Sequence, residues 1–120
     1  MGLPPMRTKG VTSLTETYLQ NQIRIALSPY GVVIRQNTGN FELKDGRRIV
    51  CGVKGLSDLL FIGERGRVSF IEVKTPTGKP SQEQLNFIKR MHSLGHSAGI
   101  ARSVEDALRL AGVTNEAGGD

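Results

Sequence analysis

Asp58, Glu72 and Lys74 are two carboxylates and an amine that strand geometry can bring onto one surface. "DLLFI" (58–62) and "VSFIEVK" (68–74) read as two strands around the turn "GERGR", where Gly66 supplies the positive φ such a loop needs. Side chains alternate along a strand, so Val68, Phe70, Glu72 and Lys74 share one face while Ser69, Ile71 and Val73 share the other. With the turn centred near Arg65, residue 62 pairs with 68, 60 with 70 and 58 with 72. Asp58 then stands opposite Glu72, with Cβ atoms about 4.5–5.5 Å apart. Carboxylates at that separation repel, or one keeps its proton. A divalent cation between them removes the conflict, and hard cations such as Mg²⁺ take oxygen ligands that include one or two carboxylates. An amine on the same face offsets charge developing on a phosphate, and a bound metal lowers the pKa of water. The set suits phosphoryl chemistry. A one-residue slip in register would separate the acids, and a lone Glu-x-Lys pair is as a rule a solvated cross-strand salt bridge. The aspartate at the matching position is what adds to that.

Two more polar residues fall on surfaces that should be apolar. At 100° per residue, Glu16 lies within the stripe of Leu19, Ile23 and Leu27, and Gln84 within that of Phe87, Ile88 and Met91. Both helices would turn a polar group toward the sheet. Ser13-x-x-Glu16 and Ser81-x-x-Gln84 also match the capping box, which accounts for each residue at least as well as a site does. The two roles are compatible, because a first-turn side chain can cap a helix and border a site.

The elements that must position these groups follow from periodicity. A helix is expected over 13–28, with Leu19, Ile23, Ala26 and Leu27 as its apolar stripe and Pro29 and Gly31 as its stop. A strand follows over 32–37. "FELKDGRRIVC" reads as a hairpin on Asp45-Gly46, a pair suited to a type I′ turn. After the hairpin that carries Asp58 and Glu72 and the loop "TPTGKP", a second amphipathic helix spans 82–94. Its apolar side holds Phe87, Ile88, Met91 and Leu94, and Gly95 ends it. "SAGIA" is a short strand, Ser103 caps a last helix over 104–111, and Gly112 closes it. The order α-β-(hairpin)-β-β-α-β-α describes a mixed α/β domain over 13–112 around a central sheet, between a basic tail (1–12) and a short tail (113–120).

The chain has 120 residues, 38% of them hydrophobic, enough for one domain with a modest core. No apolar run approaches a membrane span, and no signal peptide or myristoylation pattern is visible, so a cytoplasmic setting is expected. The single Cys51 excludes an internal disulfide framework and reads as a small strand residue. Net charge is +5, which favours an acidic polymer as partner, although many basic proteins bind none. His92 and His96 have no Cys or His partner at ligand spacing and read as structural.

With these residues in place the chain resembles the VRR-NUC (virus-type replication-repair nuclease) domain of the PD-(D/E)XK nuclease superfamily. The resemblance runs over roughly 14–111. It rests on Glu16 opening the first helix, "IRQNTG", "KGLSD", "FIEVKTPTGKPSQEQ" and "GHSAGIARSVEDAL", and it is nearest to compact stand-alone forms in phages and bacteria. Ser57 stands where the superfamily has proline. The resemblance implies a restriction-endonuclease-like core. Asp58 and Glu72 would be metal ligands, with the Val73 carbonyl a third, and Lys74 the catalytic lysine. Glu16 and Gln84 would hold supporting positions. It implies Mg²⁺ or Mn²⁺ as cofactor, and hydrolysis of DNA phosphodiesters leaving a 5′-phosphate, in a bacterial or phage-infected cell. Stand-alone relatives resemble junction resolvases, so branched DNA such as a Holliday junction is the expected substrate. One site cuts one strand, so symmetric cutting calls for a homodimer.

Arg35, Asn37, Arg47, Arg48, Lys54 and Lys79 are the candidates for phosphate contacts. Few aromatic residues and no tryptophan argue for contact with the backbone over stacking on single-stranded bases. The rival readings are a nickase or flap nuclease of the same superfamily, a non-catalytic DNA-binding module, and an RNA-binding basic module.

Overall fold

The computed structural model of the chain describes residues 15–36, 39–51 and 53–113. The first helix, α1 (Glu16–Leu27), runs through a short 3-10 turn at Ser28–Tyr30 into strand β1 (Val32–Arg35). Strands β2 (Gly39–Glu42) and β3 (Arg48–Cys51) form the first hairpin, and β4 (Leu59–Ile62) and β5 (Val68–Val73) the second. Helix α2 (Gln82–Ser93), strand β6 (Ser97–Ala101) and helix α3 (Val104–Ala111) complete the chain. The element order is the one expected, and the fold is a mixed α/β domain.

Strands β1, β4, β5 and β6 form one sheet in that order, with β1/β4 and β4/β5 antiparallel and β5/β6 parallel. Among the described residues, strands β2 and β3 pair with each other as a separate ribbon. Alternation gives the main sheet two unlike faces. On one, Leu59, Phe61, Ile71 and Val73 pack without exposure against Leu19, Ile23 and Leu27 of α1 and Ala107 and Ala111 of α3. Fully burying side chains of this kind stabilises by roughly 1.5–3 kcal/mol each, which makes this face the core. The other face carries α2, seated by an edge-to-face contact of Phe70 with Phe87 at 5.4 Å. No residue of α2 is fully buried, and Leu94, expected on its apolar side, is exposed as the helix cap. The shallow fit follows from a helix whose only large aromatic anchor is Phe87.

Three local expectations change. Helix α1 starts on Thr15, whose hydroxyl accepts the Tyr18 N–H at 3.1 Å, so the Ser13-based box is not the cap, and Ser13 itself lies outside the described residues. Threonine caps nearly as well as serine, and with Thr15 in that role Glu16 becomes the first helical residue. The first hairpin turns through three residues, 44–46, closed by Leu43 N–H on the Arg47 carbonyl at 2.7 Å. Gly46 alone takes positive φ (+90°), so this is a three-residue loop with glycine in the left-handed position and not a type I′ turn. In the second hairpin Arg65 joins Gly66 at positive φ. Among the described residues, no helix is long and apolar enough to cross a membrane.

Candidate metal and nucleic-acid site

The register that would place the two acids together is the one observed. Leu59 pairs with Ile71, Leu60 with Phe70, Phe61 with Ser69 and Ile62 with Val68. One step further back, Asp58 faces Glu72. Asp58 is fixed at both ends: its carbonyl accepts the Gln36 N–H at 2.8 Å, and its Oδ2 accepts the Val73 N–H at 3.0 Å. It therefore ties the end of β1 to the end of β5. Val73 meets Asp58 through its backbone N–H, and its side chain is buried in the core.

Glu72 is 1% exposed. Its Oε2 accepts from Gln84 Nε2 at 2.8 Å and lies 3.7 Å from Lys74 Nζ. Among the described residues its Oε1 is buried with no donor, and the Asp58 carboxyl is the polar side chain beside it. Burial pushes the Glu72 carboxyl up from 4.5 to about 8, the negative charge of Asp58 adds to the rise, and Lys74 opposes it. Buried polar atoms are almost always partnered. An unpartnered oxygen beside a second carboxylate is answered by a proton or by a cation. That makes the Asp58–Glu72 pair a fit for a divalent ion. Among the described residues no three His, Cys, Asp or Glu side chains gather as a ligand cluster. Such an ion would be held by two carboxylates and the Val73 carbonyl, with water making up the rest.

The flanking groups come from both helices. Gln84 caps and borders the site at once: its Oε1 accepts the Ser81 N–H at 2.8 Å, Ser81 Oγ accepts the Gln84 N–H, and its Nε2 reaches Glu72. Glu16 faces Lys74, with Oε2 3.8 Å from Nζ, so the amine sits between two glutamates. Ser57, next to Asp58, is fully buried, and its hydroxyl has no partner among the described residues.

The basic candidates separate. Arg35 ends β1 beside Asp58 through the Arg35–Leu59 pairing, and it is exposed. Lys54 and Lys79 are exposed on the loops before β4 and before α2. Arg47 sits at the tip of the β2–β3 ribbon with its guanidinium on Asp45 at 2.8 Å. Arg48 lies in β3, and Asn37 falls outside the described residues. His92 Nε2 bonds the Ala98 carbonyl and His96 packs on Phe70, both structural.

Gly55 is a site-building residue that sequence reasoning passed over. Its φ is +78°, and a Cβ there would stand 2.1 Å from the Glu83 carbonyl oxygen, so the loop before Asp58 presses directly on the first turn of α2. Only the Lys54-Gly55 pair hints at a turn; the close approach is not written locally.

Sheet, flanking helices and the facing acids at a strand end define an α/β domain of the nuclease type. The family model of the VRR-NUC domain matches residues 32–105, and the chain belongs to that family, which places it among nucleases of the PD-(D/E)XK type. A solved structure described as a VRR_NUC domain shares the fold with a TM-score of 0.60 at 24% identity, over 82% of this chain and 95% of that one. No curated protein matches the chain.

Proposed function

We propose that this chain is a divalent-metal-dependent endonuclease that hydrolyses DNA phosphodiesters, acting on branched DNA as a homodimer. One observation carries the reading: Glu72 keeps a buried, unpartnered oxygen beside Asp58, with the Lys74 amine 3.7 Å from its other oxygen. A bound Mg²⁺ or Mn²⁺ supplies Lewis acidity and a more acidic water. The chain's own groups do the rest. Asp58 and Glu72 would hold the cation, the first oriented by the Val73 N–H and the second by Gln84. Lys74 places positive charge against the phosphate as negative charge builds. Glu16 steadies the amine from the opposite side. Arg35, Lys54 and Lys79 are the backbone contacts with the best placement, and the excess of sixteen Lys and Arg over eleven Asp and Glu draws the polyanion in. The homodimer follows from one site per chain and two strands to cut.

The test uses the full chain with Mn²⁺, Mg²⁺ or chelator on labelled four-way junctions, flaps and linear duplex, with sedimentation to read the oligomer. Paired nicks in the junction, ligatable 5′-phosphate ends and no product with chelator are expected. Equal cutting of plain duplex removes the junction preference. Cutting confined to flaps or single nicks favours the other nuclease reading. Binding of DNA with no cutting under either cation overturns the enzyme in favour of a binding module.

A further inference from the structure

Lys74 and Gln84 are separated by the segment 75–83, yet they meet at Glu72. The loop between them, Thr75–Pro80, contains two prolines and few bonds of its own. Its one internal turn joins the Gly78 N–H to the Thr75 carbonyl and to Thr75 Oγ1, both at 3.1 Å. Three carbonyls of this loop converge on a single nitrogen. Arg102 Nη1 donates to Thr75 O at 2.6 Å and Gly78 O at 2.7 Å, and lies 3.3 Å from Pro76 O.

We infer that Arg102 is a positioning residue for the Asp58–Glu72 site: its guanidinium holds the 75–80 loop in the shape that aims Lys74 and starts the helix carrying Gln84. The inference rests on the reading under Proposed function for its effect on cleavage, but not for its effect on the loop.

Arg102 is itself anchored. It follows Ala101, whose carbonyl accepts the Lys74 N–H at 3.1 Å, and its own N–H donates to Asp106 Oδ2 at 2.9 Å. Asp106 is in turn fixed at the start of α3 by Ser103 Oγ. The clamp therefore links the α3 cap to the far end of β5. The loop's shape reaches Lys74 directly, since a methyl group placed on Gly78 would lie 3.6 Å from Lys74 Cδ. The lysine stem therefore passes beside the turn whose carbonyls Arg102 holds. At the loop's other end stands Ser81, the cap that orients Gln84. Arg102 touches neither Glu72 nor Lys74 Nζ, so it acts through the loop. Nη1 carries two N–H donors, which match the Thr75 and Gly78 carbonyls, with Pro76 O at 3.3 Å as a weaker third contact; a lysine at this position has the donors but a shorter stem to bring them there.

The test compares wild type, Arg102→Ala and Arg102→Lys as full chains. Removing a group that orients metal-site residues lowers activity by roughly 10–100-fold. For Arg102→Ala that loss is expected in kcat, with KM for DNA within about twofold, and guanidinium ion added to the buffer restores part of the rate. Arg102→Lys falls between. On metal-free protein, hydrogen exchange at the bonded amides of Gly78 and Ser81 quickens by about tenfold or more, while Ile71 and Val73 in β5 keep their protection. An unchanged kcat with unchanged loop exchange overturns the clamp. Faster exchange throughout the chain, without rescue by guanidinium, reduces Arg102 to a general stabiliser and also overturns it. Should wild type cut no DNA, the functional reading fails, and the exchange pattern alone decides the clamp.

Discussion

Glu72 and Val73 are neighbours on one strand and equally withdrawn from water, but they face opposite sides of the sheet. Val73 meets Leu19, Ile23 and their neighbours, and its burial is pure gain. Glu72 meets Gln84, Lys74 and the Asp58 carboxylate, and its burial raises the carboxyl to about 8 and leaves an oxygen without a partner. A sheet built for stability alone would place an apolar residue at both positions. The contrast says that one face of β5 holds the molecule together while the other stores an unfavourable arrangement, which under the proposed function a cation would relieve.

The strongest way to break that contrast is to substitute each neighbour. Glu72→Gln keeps the shape and the Gln84 contact but cannot ionise. Its cleavage should fall by more than the roughly 100-fold expected for loss of an outer orienting group. Val73→Ala should instead lose about 2 kcal/mol in urea unfolding and keep its rate per folded molecule. Equal loss of activity in both would mean that the two faces are not functionally distinct.

The same pair predicts a pH dependence. Glu72 titrates higher folded than unfolded, so its contribution to stability is full below about 4.5 and is lost as pH climbs through about 8. In chelator, Glu72→Gln should therefore match wild type near pH 5 and become progressively the more stable of the two toward pH 9. Mg²⁺ should reverse the order for wild type, with a thermal shift that grows with pH because binding releases the Glu72 proton. Melting curves at pH 5, 7 and 9 with and without Mg²⁺ decide it. A wild-type stability that rises from pH 5 to 9 in chelator relative to Glu72→Gln would contradict the arrangement.

A smaller effect comes from the joint between the faces. Gly55→Ala must place a β-carbon against the Glu83 carbonyl at a φ that side chains avoid. The left-handed strain alone costs about 1–3 kcal/mol, and the relieving movement carries the first turn of α2, with Gln84, away from Glu72. Activity should fall with stability, by roughly 10–100-fold. A crystal structure of the variant with the Gln84–Glu72 bond still near 2.8 Å would remove Gly55 from the site.

What the sequence disclosed and what it hid divide along the range of the interactions. The Asp58–Glu72 register was legible because a short hairpin fixes pairing from its turn and alternation does the rest. Gln84 was legible because the capping box is a four-residue pattern. The start of α1 was not, since Ser13 and Thr15 both cap well and only packing chooses between them. The shallow seat of α2 was hidden too: a moment marks which side of a helix is apolar, not how deeply it sinks. Gly55 against Glu83 and Arg102 against the 75–78 carbonyls join positions 24 to 28 residues apart, and no local spacing encodes them.

The finest version of the comparison uses two serines, both fully buried. Ser69 Oγ donates to the Leu110 carbonyl at 3.0 Å, whereas Ser57 Oγ has no partner. A satisfied hydroxyl contributes about 1 kcal/mol, and a buried unsatisfied one costs about 1–3 kcal/mol. Ser69→Ala should thus destabilise by about 1 kcal/mol, softened because Ser97 Oγ also donates to that carbonyl. Ser57→Ala should leave stability unchanged or raise it by up to about 1 kcal/mol, the small cavity offsetting part of the relief. It should also leave cleavage untouched, since the Ser57 hydroxyl makes no hydrogen bond to Glu72, Lys74 or Gln84 among the described residues. Urea midpoints of the two variants measured side by side check this. A Ser57→Ala loss larger than that of Ser69→Ala would mean that the Ser57 hydroxyl is partnered in solution.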